Sequence, residues 1–200
     1  MADEPVPKPR RKRDRAATEA ALLDAAVRLL RRDGVLAGLN LQEVAAEAGV
    51  NRGQIYQIYG SRQALLRAAL GRLANAGEGQ GRDHFAKPFP RRARPALRWT
   101  VRRSLMAKLG ALLALDGDEE FHPLPAAVHT RQALARDVAD GVLPPGFDGE
   151  AAHILNMSAA LGYAVFREAF ARDMGIPLDE LDERVLAVHR DLIDRAFPER

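Results

Sequence analysis

The sequence predicts an all-α protein, a three-helix N-terminal head followed by a longer helical body, and three observations carry that expectation. Apolar residues recur at helical spacing along most of the chain, and no segment alternates as a half-buried strand would. Two short amphipathic stretches meet at Ala48-Gly49-Val50, the pattern of a helix-turn-helix. Charge divides at residue 75: residues 1–75 hold 13 Lys/Arg against 8 Asp/Glu, a net +5, and the remainder holds 17 against 19, a net −2. A basic head on a mildly acidic body suits a chain that neutralises phosphates with one part only.

Composition excludes several classes. With 200 residues and 47% hydrophobic content, the chain has ample material for a buried core. No stretch approaches the roughly 18 consecutive apolar residues of a membrane span, and the N-terminus is rich in Pro and Arg without an apolar signal region, so a soluble cytoplasmic protein is expected. The absence of cysteine removes disulfides, thiolate nucleophiles and cysteine-based zinc sites.

Three segments follow in order. Residues 1–14 contain three prolines and the run Lys8-Pro9-Arg10-Arg11-Lys12-Arg13 with no apolar periodicity, which predicts a disordered basic arm. Such an arm either solubilises the end or settles into the negative potential of a minor groove. Residues 15–75 form the head. Thr18 or Asp14 opens its first helix, which carries Leu22, Ala26, Leu29 and Leu30 inward and ends near Gly34. Asn40 caps the second helix with Glu43 in the capping-box position, and Leu41, Val44, Ala45 and Ala48 make its apolar stripe. Gly49 stops it, because glycine takes the left-handed position without a Cβ clash. Asn51 caps the third helix, with Gln54 at N3, and Ser61 caps a fourth that turns Leu65, Leu66, Ala69, Leu70 and Leu73 to one side and runs to about Asn75.

Residues 76–200 form the body. Glycines at 77, 79 and 81 predict a flexible connection. After Pro88 and Pro90 an Arg-rich helix is expected from about Arg92 to Leu115, then a break at Asp116-Gly117-Asp118 and a helix from about Pro125 to Asp140. The segment from Gly141 to Gly149 contains Pro144-Pro145-Gly146 and reads as a loop. Glu150 to Met174 is the most apolar helix, and Pro177 opens a last one that ends near Phe197.

In a helix-turn-helix the first residues of the second helix face base edges, while neighbouring side chains and helix N-termini hold phosphates. Arg52 suits guanine O6 and N7, and Gln54 suits adenine N6 and N7 or serves as the N3 cap. Gly53 has no side chain to read a base and allows close approach of backbone to a thymine methyl or sugar. Tyr59 follows Ile55 by four residues and is expected in the core.

These residues resemble the TetR (tetracycline-repressor-like) transcriptional regulators. The resemblance runs through Leu41, Val44-Ala45, Ala48-Gly49-Val50, Gly53, Ile55-Tyr56, Tyr59, Gly60-Ser61-Arg62 and Leu65-Leu66, about the first third of the chain. The family's usual recognition helix ends Leu-Tyr-x-His-Phe; here Ile55-Tyr56-Gln57-Ile58-Tyr59 puts isoleucine at the histidine position. Carried over by position, the resemblance implies DNA contacts at Gln42, Arg52, Gln54, Tyr56, Gln57 and Arg62, with Tyr56 and Arg62 on phosphates. It also implies a homodimer in which the last two helices pack on their symmetry mates as a four-helix bundle, and a pocket for a small-molecule effector of unstated identity.

Periodicity offers surfaces for both. Leu155, Ala159, Gly162, Phe166 and Ala169 form one stripe and Leu181, Val185, Val188, Leu192 and Ala196 another; each closes either a dimer or an intrachain core. His153, Asn156 and Tyr163 make a polar line amid apolar residues, as a ligand site requires, and Trp99, Met106, Phe121, His122 and His129 extend its wall or are plain core. Arg94, Arg98 and Arg102 make a cationic strip, either solvated surface or a seat for an anionic effector such as an acyl thioester of coenzyme A.

No cofactor and no metal site is expected. The chain has no His-Glu-x-x-His, no phosphate-cradling glycine loop after a strand and no Gly-x-Ser-x-Gly, which weighs against a small helical enzyme. A helix-turn-helix adaptor for protein partners would not need a basic head. The sequence therefore points to a ligand-responsive homodimeric regulator of double-stranded operator DNA, a repressor by preference.

Overall fold

The computed structural model describes residues 11–37, 40–75 and 83–198. Among them every regular element is a helix, in two compact units that divide between Ala76 and Gly77. The connection expected at residues 77–81, and the arm up to residue 10, lie outside the described residues.

The first unit contains α1 (Arg11–Ala37), α2 (Leu41–Glu47), α3 (Arg52–Tyr59) and α4 (Arg62–Asn75). α1 is helical from Arg11 and so includes residues 11–14, which the sequence places in the arm; Arg and Lys are good helix formers. Gly34, at φ 82° and ψ 178°, breaks the helical path near the expected end. Leu22, Leu29 and Leu30 of α1, Val44 of α2, Ile55 of α3 and Leu65 and Leu66 of α4 are fully or almost fully buried. Burying each such side chain stabilises by about 1.5–3 kcal/mol, so these residues dominate the head's stability. Ion pairs Arg72–Asp24 (2.9 Å) and Arg28–Glu47 (2.6 Å) tie α4 and α2 to α1 at the exposed surface and add little.

The second unit contains α5 (Phe89–Ala93), α6 (Ala96–Val101), α7 (Ser104–Leu115), α8 (Ala127–Ala139), α9 (Gly149–Met174) and α10 (Leu178–Ala196). The single helix expected from Arg92 to Leu115 is three. Pro95 has no N–H to donate and ends α5, and Arg103, at φ −122° and ψ 36°, separates α6 from α7. α8 starts two residues after Pro125. α9 is capped by Asp148, whose carboxylate accepts from the Ala151 N–H at 2.9 Å.

α9 packs on α6, α7 and α10. Its inner face carries Asn156, Ala160, Ala164 and Ala171, all buried, and the short side chains let α6 and α7 come close. At one end Phe89, Ala93, Leu134 and Leu143 form a core cluster closed by Ala152, Ile193 and Phe197. The Phe89 and Phe197 rings meet edge to face at 5.3 Å. Within this core Arg92 pairs with Asp137 at 2.7 Å and also donates to the Lys87 carbonyl.

Candidate nucleic-acid interface

The turn between α2 and α3 is built by local hydrogen bonds. Asn40 Oδ1 accepts from the Gln42 N–H at 3.0 Å, and Asn40 Nδ2 donates to Glu43 Oε1 at 3.2 Å. The expected Asn40–Glu43 partnership therefore closes through the side-chain amide, whose oxygen accepts from the backbone while its nitrogen donates to the carboxylate. At the other end Val50 N–H reaches Ala45 O (2.9 Å) and Gly49 N–H reaches Ala46 O (3.1 Å), with Gly49 at φ 69°. That is a Schellman stop, and it needs the left-handed residue that glycine supplies. Asn51 Oδ1 then accepts from the Gln54 N–H at 3.1 Å and starts α3 one residue later.

α3 turns Ile55 fully into the head and leaves Arg52, Gly53, Tyr56 and Gln57 exposed, with Gln54 half-buried. Of the two roles considered for Gln54, the cap is served by its backbone N–H, so its side chain is not needed for it. A Cβ at Gly53 would stand 3.1 Å from Asn51 Oδ1, so glycine here protects the cap. Arg52 Nη2 donates to Tyr56 Oη at 3.3 Å, with the guanidinium 5.9 Å from the ring centroid. Gln42 is exposed on α2, and Arg62 is half-buried at the first position of α4, where Ser61 Oγ accepts from the Ala64 N–H at 3.1 Å. Tyr59 lies half-buried and its hydroxyl donates to the Glu19 carbonyl of α1 at 3.1 Å; burial, with Glu19 and Asp24 nearby, pushes its pKa up to about 12. The sequence reading of Tyr59 as core omitted this tether, because the partner is forty residues upstream.

A capped start, an exposed outer face and a braced α3 are what a groove-reading helix requires. Residues 22–69 match the family model of bacterial regulatory proteins of the tetR family. Over those residues the head is similar to that family. The chain is similar in fold to a Streptomyces coelicolor protein described as a transcriptional regulator, with 22% identity, 92% of this chain and 99% of that one covered, and a TM-score of 0.63. A protein of Rhodococcus sp. described as a TetR-family transcriptional regulator gives 20% identity, 89% and 98% coverage and a TM-score of 0.52. At these identities the two structures bear on the fold alone. No curated protein matches the chain. Over residues 22–69 the chain therefore resembles bacterial regulatory proteins. Among its described residues no helix is long and apolar enough to cross a membrane.

In the body the residues read as an effector wall lie on three helices, Trp99 on α6, Met106 on α7 and His153, Asn156 and Tyr163 on α9. Asn156 is buried and its Oδ1 lies 2.8 Å from His189 Nε2. Tyr163 donates to Asp182 at 2.9 Å, and Arg167 pairs with the same carboxylate. Asn156 and Tyr163 of the polar line are thus bonded to α10, through partners that periodicity within α9 had no means to reveal. Burial, and Asp182 beside it, hold the Tyr163 hydroxyl well above its usual pKa. His153 is half-buried, its pKa lowered by burial and then by Arg92, and burial lowers that of His189. Trp99 stacks under Arg103 at 4.6 Å, with its indole N–H buried and lacking an acceptor, and Met106 is half-buried on α7. His129 lies against Phe85 at 5.5 Å. A cleft of about 390 Å³ opens between Pro88, Pro90, Arg91, Asp140, Val142 and Phe197, and Trp99, Met106, His153, Asn156 and Tyr163 are not among its walls.

The cationic strip also divides. Arg94 pairs with Asp194 of α10, while Arg98 and Arg102 are exposed.

Proposed function

We propose that the chain is a homodimeric repressor that leaves its operator when a small molecule binds its body. The observation that carries the dimer is a band of exposed apolar side chains on α9 and α10. Leu155 is 72% exposed, Phe166 55%, Val188 58% and Leu192 61%, and Phe170 and Met174 extend the band along α9. Lone exposed apolar residues are ordinary, but a run along two adjacent helices is an association surface. Ala159 is exposed and Gly162 half-exposed within it, and a Cβ at Gly162 would have no atom of its own chain within 4 Å. A second copy packing there by two-fold symmetry covers the same face on both chains.

Two heads are needed because one makes too few base contacts for a useful specificity ratio. In this reading the arm of residues 1–14 adds basic contacts, residues 15–75 read DNA, and residues 76–200 pair the chains and receive the effector, all in the cytoplasm. Arg52 and Gln54 read bases; Gln42, Tyr56, Gln57 and Arg62 hold the backbone; Gly53 keeps the cap open. The ligand response is supported by the α9–α10 seam, where Asn156–His189 and Tyr163–Asp182 are polar bonds that a ligand with matching groups replaces. Shifting α9 against α10 alters the spacing of the recognition helices, which half-sites about 34–36 Å apart do not tolerate.

The test combines sedimentation with selection of duplexes from a randomised pool. The native chain is expected to sediment as a dimer and to enrich a palindromic site. Gly162→Leu is expected to keep its helical circular dichroism, sediment as a monomer and lose most operator affinity. A dimeric Gly162→Leu with full affinity places the interface on another face, and a monomeric native chain removes the homodimer.

A further inference from the structure

We propose that Tyr56 is a positioning residue that sets the base specificity of Arg52, in addition to any phosphate it holds. The inference rests on the reading of α3 as the base-reading helix and assigns a second role to one of its residues.

Arg52 is the first residue of α3 and Tyr56 stands one turn later on the same face. The guanidinium donates through Nη2 to the Tyr56 hydroxyl at 3.3 Å, and its carbon lies 5.9 Å from the ring centroid. Both side chains are exposed and Tyr56 is 44% accessible, so packing does not force them together. The contact is a hydrogen bond with a cation over an aromatic face, each worth a fraction of a kcal/mol at an exposed site. Its consequence exceeds that energy, because an untethered arginine has a wide choice of acceptors.

A phenolic oxygen accepts and its own O–H donates. Arg52 occupies the accepting side, which leaves the Tyr56 proton for a phosphate oxygen; each bond polarises the other and strengthens both. A guanidinium has five donors, so a single bond to Tyr56 leaves enough for guanine O6 and N7. The tether also works against wrong bases. Without it, an arginine facing adenine or a pyrimidine swings to a neighbouring phosphate and recovers much of the lost energy. With it, the guanidinium stays over the base edge, and a mismatched base leaves it unsatisfied.

The experiment is a double-mutant cycle on full-length protein, with Tyr56→Phe, Arg52→Ala and the double variant. The probes are the duplex that the native chain enriches from a randomised pool and all its single-base variants. Tyr56→Phe is expected to narrow the preference at the Arg52-contacted position by about three- to tenfold, the cost of ordering one free side chain. In the Arg52→Ala background the same change is expected to lower affinity equally on every variant. Equal loss on every variant with Arg52 present overturns the positioning role and returns Tyr56 to the phosphate class alone. Because Arg52 and Tyr56 are exposed, all three variants are first required to match the native circular dichroism; a further substitution, Tyr56→His, restores an acceptor and is expected to recover part of the preference. Failure of the native chain to enrich any sequence removes the base-reading function of α3 and this inference with it.

Discussion

Arg92 and Asp137 meet at 2.7 Å with 7% and 2% of their side chains exposed, and this pair fastens α5 to α8 inside the body. Arg92 also donates to the Lys87 carbonyl, so its charge is compensated on two sides. Truncating one member leaves the other as an uncompensated charge in the core. Asp137→Ala is expected to destabilise the body by about 3–5 kcal/mol. Denaturant unfolding followed by fluorescence of Trp99, the chain's single tryptophan, measures it. An exposed pair offers the contrast: Arg72→Ala, which breaks Arg72–Asp24 in the head, is expected to cost less than about 1 kcal/mol. Equal costs contradict the difference in burial.

Asn51 starts the recognition helix through its bond to the Gln54 N–H. Asn51→Ala removes that acceptor and is expected to cost about 0.5–2 kcal/mol of head stability. Asn51→Ser retains a cap oxygen and is expected to recover most of it. Thermal melts of the two variants, followed at 222 nm, decide the matter; a Ser variant as weak as the Ala variant removes the cap from the account.

Tyr59 holds α3 to α1 through its hydroxyl and the Glu19 carbonyl. Its pKa is raised from 10.0 to about 12, so the folded head keeps the phenol proton more tightly than the unfolded chain does. The stability this contributes is complete below pH 10 and lost as pH rises through about 12. Tyr59→Phe is expected to cost about 1 kcal/mol at neutral pH and to flatten the alkaline limb of the stability profile. An unchanged alkaline limb assigns that limb to another group.

Histidines give the body an acidic limit. His84, His153 and His189 all titrate below the ordinary 6.5, His84 and His153 through burial and then Arg92, His189 through burial. Folding therefore disfavours their charged forms. Their contribution is complete above pH 6.5 and declines as pH falls through their folded values. Body stability is expected to fall on acidification through this range, and His153→Gln to make the fall shallower. A slope that is the same in the variant excludes His153 from it.

The helix-turn-helix was legible because its signals are local. Asn40, Gly49, Asn51 and Ser61 each act on backbone groups within a few residues, and that proximity makes a cap or a stop readable in one dimension. Burial of Leu41, Val44, Ala45 and Ile55 followed from a 3.6-residue period for the same reason. The body was legible only as a list of helices, and one of those was really three, since Pro95 was passed over where the apolar period continued through it. Its polar chemistry was settled by contacts between distant segments. Asn156 finds His189 thirty-three residues away, Tyr163 finds Asp182 nineteen away and Arg92 finds Asp137 forty-five away. A periodic pattern states which side of a helix is apolar; it carries no information on which polar group of another helix will stand opposite, because that depends on how the helices pack in three dimensions.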